Sequence, residues 1–334
     1  MARVTLKDIA AQVHTSPKTV SKALNNQPGV SEELRQKIKD IAREMYYIPN
    51  PFGKGLSGKP PKTIGIIVPD NVNPSYSLML RGMETKAAAL RYSIILGNSN
   101  EDIEQERALV NVLLGKHVDG VIVCPTYYPE ASPNVKILQQ FNMPYVLLNR
   151  DLRGQQHPCV KTDNVLAACL AGRYLLRKGH LQIIHVTRQH SVPAVEERIE
   201  GLKKAFDEQN IPFRDEQIFR CCEISIESGY HAAQTILQQH SDFDAVLAFN
   251  DIIAFGVMKA LREAQLRIPD DVAVMGFDNL IFSDICLPPL TSVNQNLHAI
   301  GTAAMERLLQ QIEGEEALTL TEVPEPYIVE RESV

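Results

Sequence analysis

Residues 5–26 read "TLKDIAAQVHTSPKTVSKALNN", two short amphipathic stretches on either side of a polar break. Thr5 is a cap for a helix through "LKDIAAQV", with Asp8 in the first turn, where the helix dipole favours negative charge. Leu6, Ile9, Ala10 and Val13 recur at helical spacing and form one apolar stripe. "HTS" then ends the pattern. Ser16 is a good N-cap, and Pro17 suits the first helical position, where its missing N–H costs nothing, so a second helix is predicted from Pro17 to about Leu24. Val20, Ala23 and Leu24 face inward, which leaves Pro17, Lys18, Ser21 and Lys22 outward. Two lysines one turn apart repel by roughly 0.2–0.5 kcal/mol unless an anion lies opposite. A third helix is predicted after Ser31, with Leu34, Ile38, Ile41, Ala42 and Met45 as its buried face.

The charge of the whole chain gives that basic helix its meaning. The 334 residues carry a net charge of −6, yet residues 1–59 hold ten Lys or Arg against five Asp or Glu, leaving 24 against 35 in the remainder. A basic head on an acidic body is expected where one end meets a polyanion. Three short helices with a tight turn between the first two make a helix-turn-helix head, here residues 1–49, and the second helix of such a head lies in the DNA major groove. Lys18 and Lys22 are then expected at guanine acceptors or phosphates. Thr5, Thr15, Ser16, Thr19 and Asn25 can donate to the backbone, with Ser21 on the same face.

The stretch quoted above, followed by "VSEELRQKIKDIAREMYYIPN", resembles the DNA-binding head of the LacI/GalR family of bacterial transcriptional regulators. The resemblance implies base reading from Pro17, Lys18 and Lys22. Pro17 has no donor and can only pack against a groove methyl or the backbone. Residues 50–61 follow as a hinge, within the Gly-, Pro- and Lys-rich run "NPFGKGLSGKPPK". The family resemblance implies a short helix there that forms on DNA, with Leu56 wedged into the minor groove. Gly53 and Gly55 each cost roughly 0.8–1 kcal/mol of helix propensity relative to alanine, so the hinge is expected to be disordered off DNA.

From Lys62 onward apolar runs alternate with helical stretches: "TIGIIV", "YSIILG", "DGVIVC" and "PYVLL", then, after a break near "VKTDNVLAA", "LQIIHVT", "DAVLAF" and "DVAVMGF". This order predicts two doubly wound parallel-sheet lobes, periplasmic-binding-protein-like, over residues 62–334. The first lobe is expected over about 62–162 plus 293–321, and the second over about 163–292 plus 322–334. Ligands of open parallel sheets sit beyond the carboxyl ends of the strands. The residues there are polar: Asp70, Asn98, Asn149, Arg150, Arg188, Asn250, Asp251 and Asp278. They supply the donors and acceptors that a hydroxyl-rich ligand demands.

The same resemblance implies effector contacts from Arg198 in "VEERIEGLKKAF", from Asn250 and Asp251 in "FNDIIAFGVMKAL", from Asp278 in "GFDN" and from Gln295 in "LTSVNQN". Asn149 stands where relatives carry an acidic or amide residue. Arg198 could instead pair with a glutamate on its own helix. Ile224 falls where many relatives carry an aromatic residue, leaving Tyr76 as the evident ring, and this tilts the expected effector toward a sugar or sugar derivative. A purine or nucleoside, or a phosphoprotein corepressor, is the alternative. The family pairs the helix in "SYSLMLRGMETKAAAL" across a two-fold axis, which implies a homodimer on a palindromic operator. The chain ends in the strand-like "PYIVERESV", with no heptad tail for a coiled coil.

Other classes fit less well. No run approaches the roughly eighteen apolar residues of a membrane span. The N-terminus lacks the apolar stretch of a secretory signal, so the chain is expected in the cytoplasm; that and the head argue against an extracytoplasmic solute-binding protein. There is no Walker, GxGxxG, HExxH or GxSxG motif, and no enzyme activity or cofactor is expected. The six cysteines show no CxxC pair or zinc spacing, so they are read as buried free thiols, and no metal site is expected.

Overall fold

A computed structural model of the chain describes residues 4–48, 61–126, 132–152, 157–189, 192–239, 242–314 and 323–334. The expected wedge Leu56 and the two hinge glycines lie outside the described residues. The chain divides into a head that ends by Pro61 and a body from Lys62.

The head contains α1 (Leu6–Gln12), α2 (Pro17–Leu24) and α3 (Glu32–Glu44). The Asp8 carboxylate accepts the Thr5 N–H and hydroxyl, both at 2.7 Å. His14 takes a left-handed φ of 52° that ends α1, and Ser16 Oγ accepts the Thr19 N–H at 3.1 Å to start α2. Ile9, Val20, Ala23 and Ile38 are fully buried where the three helices meet. Burying such an isoleucine contributes about 1.5–3 kcal/mol. Arg35, only 8% exposed, donates to the carbonyls of Ala23, Gln27 and Val30 and to Glu32, so it ties down the turn between α2 and α3.

The body holds two sheets. The first contains β1 (Thr63–Val68), β2 (Ser93–Asn98), β3 (Gly120–Val123), β4 (Tyr145–Leu148) and β5 (Cys159–Val160), all parallel in the order β2-β1-β3-β4-β5. The second contains β6 (Ile183–Arg188), β7 (Ile218–Cys221), β8 (Ala245–Ala248), β9 (Ala273–Phe277), β10 (Thr291–Asn294) and β11 (Tyr327–Val329), in the order β11-β10-β9-β8-β6-β7 with only β11 antiparallel. Chain reversals between β1 and β3, and between β6 and β8, give each lobe a topological switch point.

Helices α4 (Pro74–Ala89), α5 (Ile103–Gly115) and α6 (Pro133–Gln140) belong to the first lobe; α7 (Asn164–Arg177), α8 (Pro193–Asp207), α9 (Ile226–Gln239) and α10 (Asp251–Glu263) belong to the second. The last helix, α11 (Leu297–Ile312), returns to the first lobe and packs on α4. That pair touches backbone to backbone. A Cβ on Gly301 would lie 1.8 Å from Met79 O, and one on Gly82 would lie 2.1 Å from His298 O.

All seven apolar runs form strands. The short β5 and β7 and the polar β10 were not read from the sequence, because two to four residues with no alternating pattern give no signal above a loop. β10 also moves the lobe boundary: its pairing with β9 and β11 keeps the chain in the second sheet through Asn294, not to 292 as expected. Four of the six free cysteines are buried, while Cys222 is exposed and Cys286 half-buried.

Candidate ligand cleft and nucleic-acid interface

The outer face of α2 follows from its inner one. With Val20 and Ala23 in the head core, Pro17 and Lys18 are exposed and Ser21 and Lys22 half-buried on the opposite side. Among the flanking polar residues, Thr5, Ser16 and Asn25 are exposed, whereas Thr15 and Thr19 are half-buried. Several already hold local bonds: Ser16 Oγ lies 2.9 Å from Thr19 Oγ1, and Asn25 Nδ2 donates to Ser21 O at 2.8 Å. These bonds stiffen the two ends of α2 and leave its lysines outward.

In the body, the carboxyl ends of the two sheets face each other across a small cavity of about 50 Å³. Of the residues expected at the ligand, Tyr76, Asn149, Arg150, Arg198, Asn250, Asp278 and Gln295 line it. Asp278 joins the lobes: it accepts from Ser75 Oγ of α4 at 2.5 Å and from the Gln295 amide at the crossover. Its φ of 103° is a left-handed value that a side chain rarely adopts, and such strain gathers at functional sites. Burial raises the Asp278 pKa, partly offset by the nearby Arg198 charge and the Ser75 and Gln295 donors.

Arg198 is the most enclosed cation. Its Nε donates to Asn164 at 3.0 Å, one terminal nitrogen to Phe249 O and the other to Gln295 at 3.1 Å. The rings of Phe249 and Phe277 lie 4.4 and 4.3 Å from its guanidinium carbon. Burial pulls its pKa down to about 10 against the opposing pull of Asp278. Of the glutamates on its own helix, the adjacent Glu197 is instead bound by Lys161 and Asn164.

A second set of charges spans the cleft. Glu101, beyond β2, accepts both terminal nitrogens of Arg150 at 2.8 and 2.6 Å and one from Arg188, at the end of β6 in the other lobe, at 3.3 Å. Burial alone would raise the Glu101 pKa, but the two arginines outweigh it and hold the carboxyl down to about 2.

Three predicted residues stand outside the cavity lining, among them Asn98 at the end of β2. Asp70 caps a turn, accepting the Val72 N–H at 2.9 Å, and is half-exposed away from the lining. Asp251 turns inward: fully buried at the start of α10, it accepts from Leu280 N–H, Ser283 Oγ and Ser292 Oγ at 2.6–2.7 Å. Asn250 caps α10 and borders the cavity, while Asp251, the next residue and the first of the helix, faces the interior. Arg188, expected only as one of the polar strand ends, lines the cavity, and so do Ser75 and Phe249, which were not expected there. Phe249 is a second ring beside Tyr76, but Arg198 covers one of its faces. Their signal was available only as polar or aromatic residues bordering strands.

Among the described residues no group of three or more His, Cys, Asp or Glu side chains is placed to hold a metal, and no helix is long and apolar enough to cross a membrane.

Comparison with known proteins agrees with this division. Residues 5–50 match the bacterial regulatory proteins of the lacI family, and residues 61–331 match the periplasmic binding proteins and sugar binding domain of the LacI family. The chain is 32% identical to the ribose operon repressor of Halalkalibacterium halodurans, over 92% of this chain and 90% of that one. It is 31% identical to the transcriptional repressor CytR of Escherichia coli, over 93% and 90% of the two. Its structure superposes on a lac repressor dimer bound to operator and an anti-inducer with a TM-score of 0.88, 25% identity and 99% of each chain covered. With a three-helix basic head, two parallel-sheet lobes and matches that together span nearly its whole length, the chain belongs to the LacI family of bacterial transcriptional regulators.

Proposed function

We propose that this chain is a cytoplasmic transcriptional repressor and not an enzyme: it binds a palindromic operator as a homodimer and is controlled by a sugar or sugar derivative in the cleft. The observation that carries the DNA-binding part is α2, capped at both ends, with Lys18 exposed on the side opposite the head core. Lys18 and Lys22 meet base acceptors or phosphates, Pro17 packs on the groove surface, and Thr5, Thr15, Ser16, Thr19, Ser21 and Asn25 hold the register. Residues 1–49 act as the reading head and 50–61 as the hinge, where Leu56 enters the minor groove, as the family resemblance implies.

The measurement is operator affinity against salt. Each phosphate contact contributes about 0.9 to the slope of log affinity on log salt. Lys18→Ala and Lys22→Ala together should lower the slope by up to about twice that and weaken binding; an unchanged slope and affinity would remove α2 from the interface.

The dimer is supported by exposed apolar side chains. In α4, Met79, Met83 and Ala87 are spent inside the lobe. Ile226, Phe282, Ile285 and Leu287, 49–73% exposed, instead gather beside Phe255 and Met258 on the second lobe. Apolar groups gathered on a surface mark an association face, here for a second copy, and sedimentation of Ile285→Asp, Leu287→Asp should show loss of the dimer.

For the cleft, about 50 Å³ is far below the roughly 300–1,000 Å³ of ligand pockets. A ligand must therefore part or replace the Ser75–Asp278 and Arg188–Glu101 bonds, and its binding is tied to the lobe arrangement. Control then follows from the ligand's difference in affinity between the two arrangements. A thermal-shift screen of neutral sugars, sugar phosphates, polyols, nucleosides and purines tests this. At 100 times its Kd a ligand adds about 2.7 kcal/mol, and the shift should vanish in Arg198→Gln. A response to nucleosides alone would replace the sugar reading.

A further inference from the structure

The three arginines of the cleft are not equally committed. Arg198 spends its donors on neutral acceptors between two aromatic rings, and Arg150 is locked in a two-bond pair with Glu101. Arg188 differs. It is 8% exposed and lines the cavity, and its buried Nε–H has no partner among the described residues. Its ion pair, at 3.3 Å, is with the same Glu101 that Arg150 already holds more closely. Arg150 and Arg188 thus share the one carboxylate of Glu101, and Arg188, held at the longer distance, is the less compensated of the two.

We propose that the ligand of the cleft carries an anionic group, a carboxylate or a phosphate, on a hydroxyl-bearing body, and that Arg188 selects it. The inference rests on the reading of this cavity as the effector site. The planar guanidinium matches two oxygens of a carboxylate or phosphate at once, and its unpartnered Nε supplies one of those bonds. Glu101 stays with Arg150 when the ligand anion takes over Arg188. Asn250, Gln295, Ser75 and Asp278 then face the ligand's hydroxyls, since they surround the same cavity with both donors and acceptors. Arriving charge exchanges one partner of Arg188 for another, and this loosens its tie to the opposite lobe.

The test uses the full chain and matched probes: glucose against glucose 6-phosphate and glucuronate, ribose against ribose 5-phosphate, and inorganic phosphate as the bare anion, each by thermal shift and calorimetric titration. The expected result is tighter binding of an anionic member than of its neutral partner, weakened about tenfold or more in Arg188→Gln and less in Arg188→Lys, since bonds to charged groups are the stronger ones. Glucuronate against glucose 6-phosphate separates carboxylate from phosphate. Neutral members binding as well as or better than anionic ones, or no difference in any pair, overturns the proposal in the unaltered protein whatever the variants do. If a neutral sugar binds and Arg198→Gln abolishes it, the cleft remains the effector site and only the anionic preference falls. If an anionic sugar binds equally well in Arg188→Gln and Arg198→Gln, the site lies elsewhere and both readings fall.

Discussion

Asp251 and Asp278 both follow short apolar strands of the second sheet, yet one braces the lobe and the other joins it to its neighbour. Asp251 accepts three buried donors from the segments after β9 and in β10. Asp251→Ala would leave those donors unpaired, and a loss of about 2–4 kcal/mol in denaturant unfolding is expected. Asp278→Ala removes the Ser75 contact between lobes and should act mainly on ligand response. The sequence places both carboxylates just beyond apolar strands but does not say which side they face, because that depends on the donors brought to them from β10, α4 and the segment after β9. Arg198 shows the same division: its place in the cleft was legible, while its partners Asn164 and Gln295 lie 34 and 97 positions away in the chain. Arg188 was legible only as a polar strand end, because its meaning depends on Glu101, 87 positions distant.

At the scale of elements, capping and periodicity predicted α1, α2 and α3, because local hydrogen bonds and a helical apolar stripe set them. The seven apolar strands were equally plain. The packing of α4 on α11 was not, since it joins helices more than two hundred positions apart through two glycines whose spacing resembles that of any helix. Gly301→Ala would bring a methyl group onto the Met79 carbonyl, which is backbone and cannot swing aside. Overpacking of this kind typically costs about 1–3 kcal/mol. A lowered Tm of the body is expected, with little effect on the head's own affinity for DNA; an unchanged Tm would mean that the two helices can separate freely.

Over the whole molecule, groups that oppose one another set the response to acid: burial raises the Asp251 pKa to about 7, so this carboxyl adds stability as pH falls below 7, whereas His185 and Glu101 act the other way. His185 in β6 is held neutral by burial, its pKa lowered to about 4 despite a bond to Leu247 O. The unfolded chain binds this proton from its ordinary value of 6.5 downward, so the contribution of His185 to stability is lost as pH falls from 6.5 to 4, by about 3 kcal/mol for a shift of this size. Glu101, held down to about 2 from 4.5, is stabilising above 4.5 and loses that contribution as pH falls further. Its side chain is 37% exposed, so solvent screening reduces the effect to about 1 kcal/mol. Chemical unfolding at pH 7, 5.5 and 4 should show the His185 contribution as a stability difference from His185→Gln that changes as pH falls; a pH-independent difference would remove it. By itself the sequence determined the basic head, the seven apolar strands with the helices between them and the polar strand ends, because these follow from local patterns of charge, capping and hydrophobic spacing; Arg198 and Gln295 came from the family resemblance. Only the tertiary structure decided which carboxylate turns inward, which arginine keeps an unpartnered donor and how closely the lobes meet, because those depend on contacts between residues far apart in the chain.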